Sequence, residues 1–106
     1  MAEIGQVSEA ELSKYDGSAA ELPLLIAVKG RIFDVSKGKE FYGPGAPYAA
    51  FAGKDASRAL AKMSTKPEDV TSSLDGLSEK EIGVLDNWEA KFVAKYPVVG
   101  SVVSSS

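Results

Sequence analysis

A chain of 106 residues with 44% hydrophobic and 25% charged residues has the length of one domain and the balance of a globular one. It contains no cysteine and no histidine. That excludes disulfide scaffolds, thiolate metal sites, cysteine nucleophiles, serine–histidine hydrolysis and bis-histidine haem ligation, and it removes the commonest general base. The net charge of −3 is unevenly spread: Lys37, Lys39, Lys54, Arg58, Lys62 and Lys66 face only Glu40 and Asp55 between Ser36 and Lys66, while the remainder is strongly acidic. A basic middle on an acidic body suits a local anionic partner better than nucleic acid, or else is simply a solvated face.

The longest uncharged run, Phe41–Gly53, carries two prolines and is too short to span a bilayer. Met1-Ala2-Glu3 opens without a secretory pattern or a myristoylation glycine. The expectation is a soluble intracellular protein of the cytosol and/or nucleus.

In chain order, Ser8-Glu9-Ala10-Glu11 has capping-box spacing and predicts a short helix over 9–14, stopped by Asp16-Gly17. Leu22–Val28 predicts a strand, apolar throughout and so central. Lys29-Gly30 predicts a two-residue hairpin turn into Arg31–Val35, a strand with one wet face. Phe41–Tyr48, interrupted by Gly43, Pro44, Gly45 and Pro47, predicts a shaped loop. Asp55 predicts the N-cap of a helix reaching Met63, and Thr65-Lys66-Pro67-Glu68 a further short one. Ser78-Glu79-Lys80-Glu81 is a second capping box. It opens a longer helix with Ile82, Leu85, Trp88 and Phe92 on one core-facing stripe. Tyr96–Gly100 predicts a last extended segment. The whole reads as a small α+β domain over 1–100 with a flexible tail over 101–106.

Chemistry concentrates in the loop, where Phe41, Tyr42, Tyr48 and Phe51 fall within eleven residues. Aromatic rings are costly to leave in water. The loop therefore either folds back as core or lines a pocket for a flat apolar ligand. The prolines would hold such rings in place at little ordering cost. The basic surroundings suit a ligand with carboxylates, as in haem, and tyrosinate is a known haem ligand. A sterol, its polar end met by a tyrosine hydroxyl, satisfies the same pocket.

Lys29–Ser36, Phe41-Tyr42-Gly43-Pro44, Pro47-Tyr48 and Phe51-Ala52-Gly53-Lys54-Asp55-Ala56-Ser57-Arg58, with Trp88, Phe92 and Lys95-Tyr96 near the end, resemble the membrane-associated progesterone receptor family of cytochrome b5-like haem/steroid-binding domains. The likeness is greatest to its short plant-type steroid-binding members and covers about residues 5–100. The resemblance implies a cytochrome b5-like fold, a small mixed sheet whose short helices form a ligand pocket, without the two haem-ligating histidines. It implies that Tyr48 binds haem iron on one face, that the metal is held only in this way, and that Tyr42, Lys95 and Tyr96 support the haem. Phe41 and Phe51 complete the pocket. It further implies association with haem monooxygenases and sterol metabolism. No counterpart of the family's membrane anchor is expected here.

The expected function is thus non-enzymatic binding of steroid and/or non-covalent b-type haem. The alternative is a protein-interaction adaptor that modulates haem monooxygenases. One-sided coordination would leave a bare porphyrin face, so the expected assembly is a monomer without haem and a weak haem-stacked dimer with it.

Overall fold

The computed structural model describes residues 4–19 and 21–103. Four strands form one mixed sheet: β1 (Gly5–Val7), β2 (Leu25–Val28), β3 (Arg31–Asp34) and β4 (Val98–Val102), in the order β1-β4-β3-β2. β1 runs parallel to β4, and β3 is antiparallel to both β4 and β2. Among the described residues, four α-helices complete it: α1 (Glu9–Leu12), α2 (Lys39–Tyr42), α3 (Ser57–Lys62) and α4 (Glu79–Lys95). The α+β architecture expected from the sequence, a small mixed sheet with short helices, is the one observed.

The hairpin turn is where the sequence places it. Lys29 and Gly30 both take positive φ, 53° and 81°, the type I′ geometry whose twist matches that of paired strands. β2, however, lies at the end of the sheet order rather than at its centre. Its apolar run is buried because clusters cover both faces, and the segment Gly53–Ala56 lies along its outer edge. Gly53 N–H donates to Leu25 O at 2.7 Å, Ala27 N–H to Lys54 O at 3.0 Å and Ala56 N–H to Ala27 O at 2.9 Å. That arrangement satisfies the edge that would otherwise be a pairing hazard. Gly53 has φ 74°, and a Cβ there would stand 2.9 Å from Asp16 Cβ, so backbone and space both require glycine.

β3 has no wet face beyond Arg31, because apolar clusters cover both sides of the sheet. Ile26, Val28, Phe33 and Val35 pack with Leu60, Leu85 and Phe92 on one side. Leu25, Ala27, Ile32 and Val99 pack with Leu12 on the other. Asp34, although buried, has its Oδ1 accept from Ser36 N–H at 2.9 Å. β4 continues through Val102, and Val103 N–H still donates to Val7 O at 2.8 Å. The expected tail thus begins later than residue 101, since pairing with β1 holds 101 and 102 in the sheet; residues 104–106 lie outside the described ones.

Both expected capping boxes sit at helix starts. At Ser8 the side chain accepts from Glu11 N–H, and the helix tightens into a 3-10 turn over Ser13–Tyr15. At Ser78 both halves are present: Glu81 N–H donates to Ser78 Oγ at 3.1 Å and Ser78 N–H to Glu81 Oε1 at 2.9 Å. The third expected cap is different. Ala56, not Asp55, precedes α3, because the Asp55 backbone is bridged to Ala27. Its carboxylate accepts from Ser57 N–H at 3.0 Å, from the Ser57 hydroxyl and from Gly30 N–H at 3.3 Å, while Ser57 Oγ accepts from Lys29 N–H at 2.7 Å. Asp55 and Ser57 thereby tie α3 to the hairpin turn. The segment at 65–68 forms a 3-10 turn, Pro67–Asp69, rather than an α-helix.

α4 is fixed over the same hairpin by charge. Lys29 Nζ pairs with Asp86 and lies 3.5 Å from Glu89, and Arg31 Nε lies 3.7 Å from Glu89. The Asp86 hydrogen bond holds the Lys29 ammonium above its ordinary pKa. Among the described residues, no helix is long and apolar enough to cross a membrane.

Candidate functional site

The glycine–proline loop is more structured than its composition implies. α2 delivers Phe41 and Tyr42 as consecutive residues, and Gly43 N–H closes the helix onto Lys39 O at 2.9 Å. A Cβ on Gly43 would stand 2.7 Å from that same carbonyl. Ala46 N–H then donates to Gly43 O at 2.9 Å, and Tyr48 N–H returns to Phe41 O at 2.8 Å. The loop is a closed ring of backbone hydrogen bonds. It sets the ring of Tyr48 6.1 Å from that of Tyr42, centroid to centroid.

The opposite wall comes from the last two turns of α4 and the residue after it. Trp88, Phe92 and Tyr96 follow one another at intervals of four, so helical periodicity puts them on one face. Phe92 is the hub, edge-on to Phe33 at 5.5 Å and to Tyr96 at 5.6 Å, 6.1 Å from Tyr42 and 6.5 Å from Trp88. Lys91 and Lys95 stand one turn apart on the rim, and Lys91 Nζ lies 5.0 Å from the Trp88 ring centre.

Together these residues surround an open pocket of about 180 Å³. Pockets that enclose a drug-sized ligand measure roughly 300–1,000 Å³, so this open enclosure is smaller than one that surrounds such a molecule. Phe41 and Tyr48, 42% and 39% exposed, form that mouth. The phenols within differ in character. Burial first, then the nearby phenols of Tyr96 and Tyr48, push Tyr42 up to about 12. Burial, with Glu40 adding to it, raises Tyr96 as well. Both therefore stay protonated and able to donate at neutral pH.

Of the residues expected at the site, Tyr42, Tyr48, Phe41, Lys95 and Tyr96 converge on this pocket. Phe51 does not line it. It is buried behind Tyr48, its ring stacked at 5.7 Å and 24°, and so supports the phenol from the core side. The sequence reading missed Lys91 and assigned Trp88 and Phe92 to the core alone. The signal was present in their spacing from Lys95 and Tyr96 along one helix. A larger groove, about 540 Å³, lies between α1, Gly53–Asp55 and Val70–Ser73. It offers serine and threonine hydroxyls around Leu12 and Val70, with no aromatic ring.

Residues 8–103 match the family model of the cytochrome b5-like heme/steroid binding domain. The chain is similar to "Probable steroid-binding protein 3" of Arabidopsis thaliana, 62% identical over 89% of this chain and 94% of that protein. It is 57% identical to rice "Membrane steroid-binding protein 1" over 94% of this chain, but spans only 43% of that protein. It is 44% identical to "Cytochrome P450 regulator dap1" of Schizosaccharomyces pombe over 90% of this chain and 61% of that protein. A solved Arabidopsis thaliana structure described as having a cytochrome b5 like fold superposes with a TM-score of 0.87 at 56% identity, covering 98% of this chain and 95% of that one. These relatives are named as binding proteins and a regulator, not as enzymes. The chain belongs to the cytochrome b5-like haem/steroid-binding domain family, whose members similar to it are steroid-binding and membrane-associated progesterone receptor proteins.

Proposed function

We propose that this chain is a non-enzymatic binding domain that takes a steroid or haem, flat and apolar, in the pocket between α2 and the C-terminal half of α4. The observation that carries this reading is the convergence of three tyrosines and two lysines around one apolar enclosure. An aromatic floor with a few polar groups at its edge is the make-up of a small-molecule site.

The residues fit haem by their chemistry. Haem, when bound, supplies an iron that takes an anionic oxygen ligand. Tyr48 is the phenol best suited to hold it: it stands at the mouth, whereas Tyr42 and Tyr96 are both raised in pKa and better suited to donate hydrogen bonds. Lys95, with Tyr96 beside it, would meet the carboxylates. For a neutral steroid the same phenols would meet a ketone or hydroxyl. The fission-yeast relative's name supports a second element, contact with cytochrome P450 partners through the exposed mouth.

Titration of the purified protein with haemin, followed by absorption spectroscopy and then by displacement with progesterone, tests the reading. A saturable ligand-to-metal band, lost on competition, is the expected result. Binding of neither molecule in the micromolar range refutes it.

A further inference from the structure

Gly38 stands in a 3-10 turn between β3 and α2, with φ −104° and ψ 33°, a conformation any residue can adopt. Its backbone does not require glycine. The space around it does. A Cβ built on Gly38 would stand 2.7 Å from the Tyr96 hydroxyl oxygen and 3.3 and 3.4 Å from Cδ2 and Cε2 of the Tyr42 ring. Two of the three pocket phenols thus rest against a position where the chain carries no side chain. The crowded atom is the end of the Tyr96 side chain, so that hydroxyl, rather than the backbone, would yield to an added methyl.

We propose that Gly38 is the positioning residue of the pocket: its bare Cα leaves the room in which the Tyr96 hydroxyl sits, and so fixes the reach of Tyr96 relative to Tyr42. This rests on the pocket being the ligand site, as proposed above. Binding constellations need their groups held within roughly 0.5 Å, and relief of a contact this short moves the hydroxyl by a comparable amount. The turn holding Gly38 is itself held, with Gly38 N–H donating to Val35 O at 2.8 Å and Leu24 N–H to Ser36 Oγ at 3.1 Å. The glycine is therefore a fixed wall.

The test is a double-mutant cycle of Gly38→Ala and Tyr96→Phe, read with haemin and with the ligand-free protein. Gly38→Ala alone, by displacing the Tyr96 hydroxyl, is expected to weaken haemin binding about tenfold. In the Tyr96→Phe background, where the shortest contact is gone and only those to the Tyr42 ring remain, the same change is expected to cost less than about twofold. An equal loss in both backgrounds would overturn the proposal and leave Gly38 acting through the fold. Ring-labelled tyrosine NMR of the ligand-free proteins gives an independent answer. Gly38→Ala should shift the ring signals of Tyr96 and Tyr42 while leaving Tyr15 in place, and an unmoved Tyr96 overturns it. Should wild type bind no haemin or progesterone, the functional reading fails, while the ring spectra still decide the role of Gly38.

Discussion

Tyr48 N–H donates to the carbonyl of Phe41 at 2.8 Å, and this bond fixes the backbone that carries the Tyr48 phenol. It closes the glycine–proline loop, sets Tyr48 beside Tyr42 and leaves it backed by the ring of Phe51. A ring held from two sides in this way would lower the ordering cost of binding a ligand.

Tyr48→Phe is therefore expected to lose haemin affinity by more than about tenfold, more than one neutral hydrogen bond explains, while keeping its fold. Tyr42→Phe removes one hydrogen bond, about 0.5–1.5 kcal/mol, and should do less. Haemin titration of the two variants, with circular dichroism as the fold control, decides the order. Equal affinity in wild type and Tyr48→Phe would remove Tyr48 from the ligand role.

The two rim lysines should separate the ligand classes. Lys95→Ala and Lys91→Ala each take a cation from the edge of the pocket, and exposed charge pairs contribute about 0.2–1 kcal/mol. Haemin binding should weaken up to about fivefold for each, more at low salt than at high salt. Progesterone, without a charge, should bind almost as before. Matched losses for both ligands would show that the lysines act through α4 and not through charge.

Alkaline pH should expose the burial of Tyr42. Its folded pKa, about 12, lies above the unfolded value near 10, so the folded state holds the proton longer. The resulting stabilisation is complete below about pH 10 and is lost as pH rises toward 12. Wild type should lose ~2–3 kcal/mol more across that window than Tyr42→Phe, as measured by urea unfolding. Parallel pH profiles would mean that the phenol ionises without consequence for the fold.

The pocket is small and open, and Phe41 and Tyr48 leave its mouth partly in solvent. An exposed porphyrin face costs roughly 25 cal/mol per Å², and a second copy related by a two-fold axis is a ready cover. Sedimentation should show a monomer without haemin and a weak dimer with it. Monomeric mass in both states would refute dimerisation and leave the pocket assignment standing.

The sequence alone determined features that depend on a few neighbouring residues. Ser78 and Glu81 are three apart, the spacing at which two side chains can each satisfy the other's backbone N–H, so the start of α4 was legible. Lys29-Gly30 supports the positive φ values that a tight hairpin needs, so the turn was legible too. The cluster of aromatics in a loop stiffened by proline marked one wall of the site. The tertiary structure decided what depends on distant partners. An apolar run such as Leu24–Val28 declares that both faces are covered, but not that Gly53–Ala56 covers its edge. Phe51 and Trp88 have similar local signals, and only packing puts Phe51 behind Tyr48 and Trp88 on the pocket wall. Gly38 looks like any turn glycine until Tyr96, brought in at the end of α4, places its hydroxyl where a side chain would have been. Local geometry is written in residues close in sequence; the shape of a cavity is set by side chains whose positions are known only once the chain has folded.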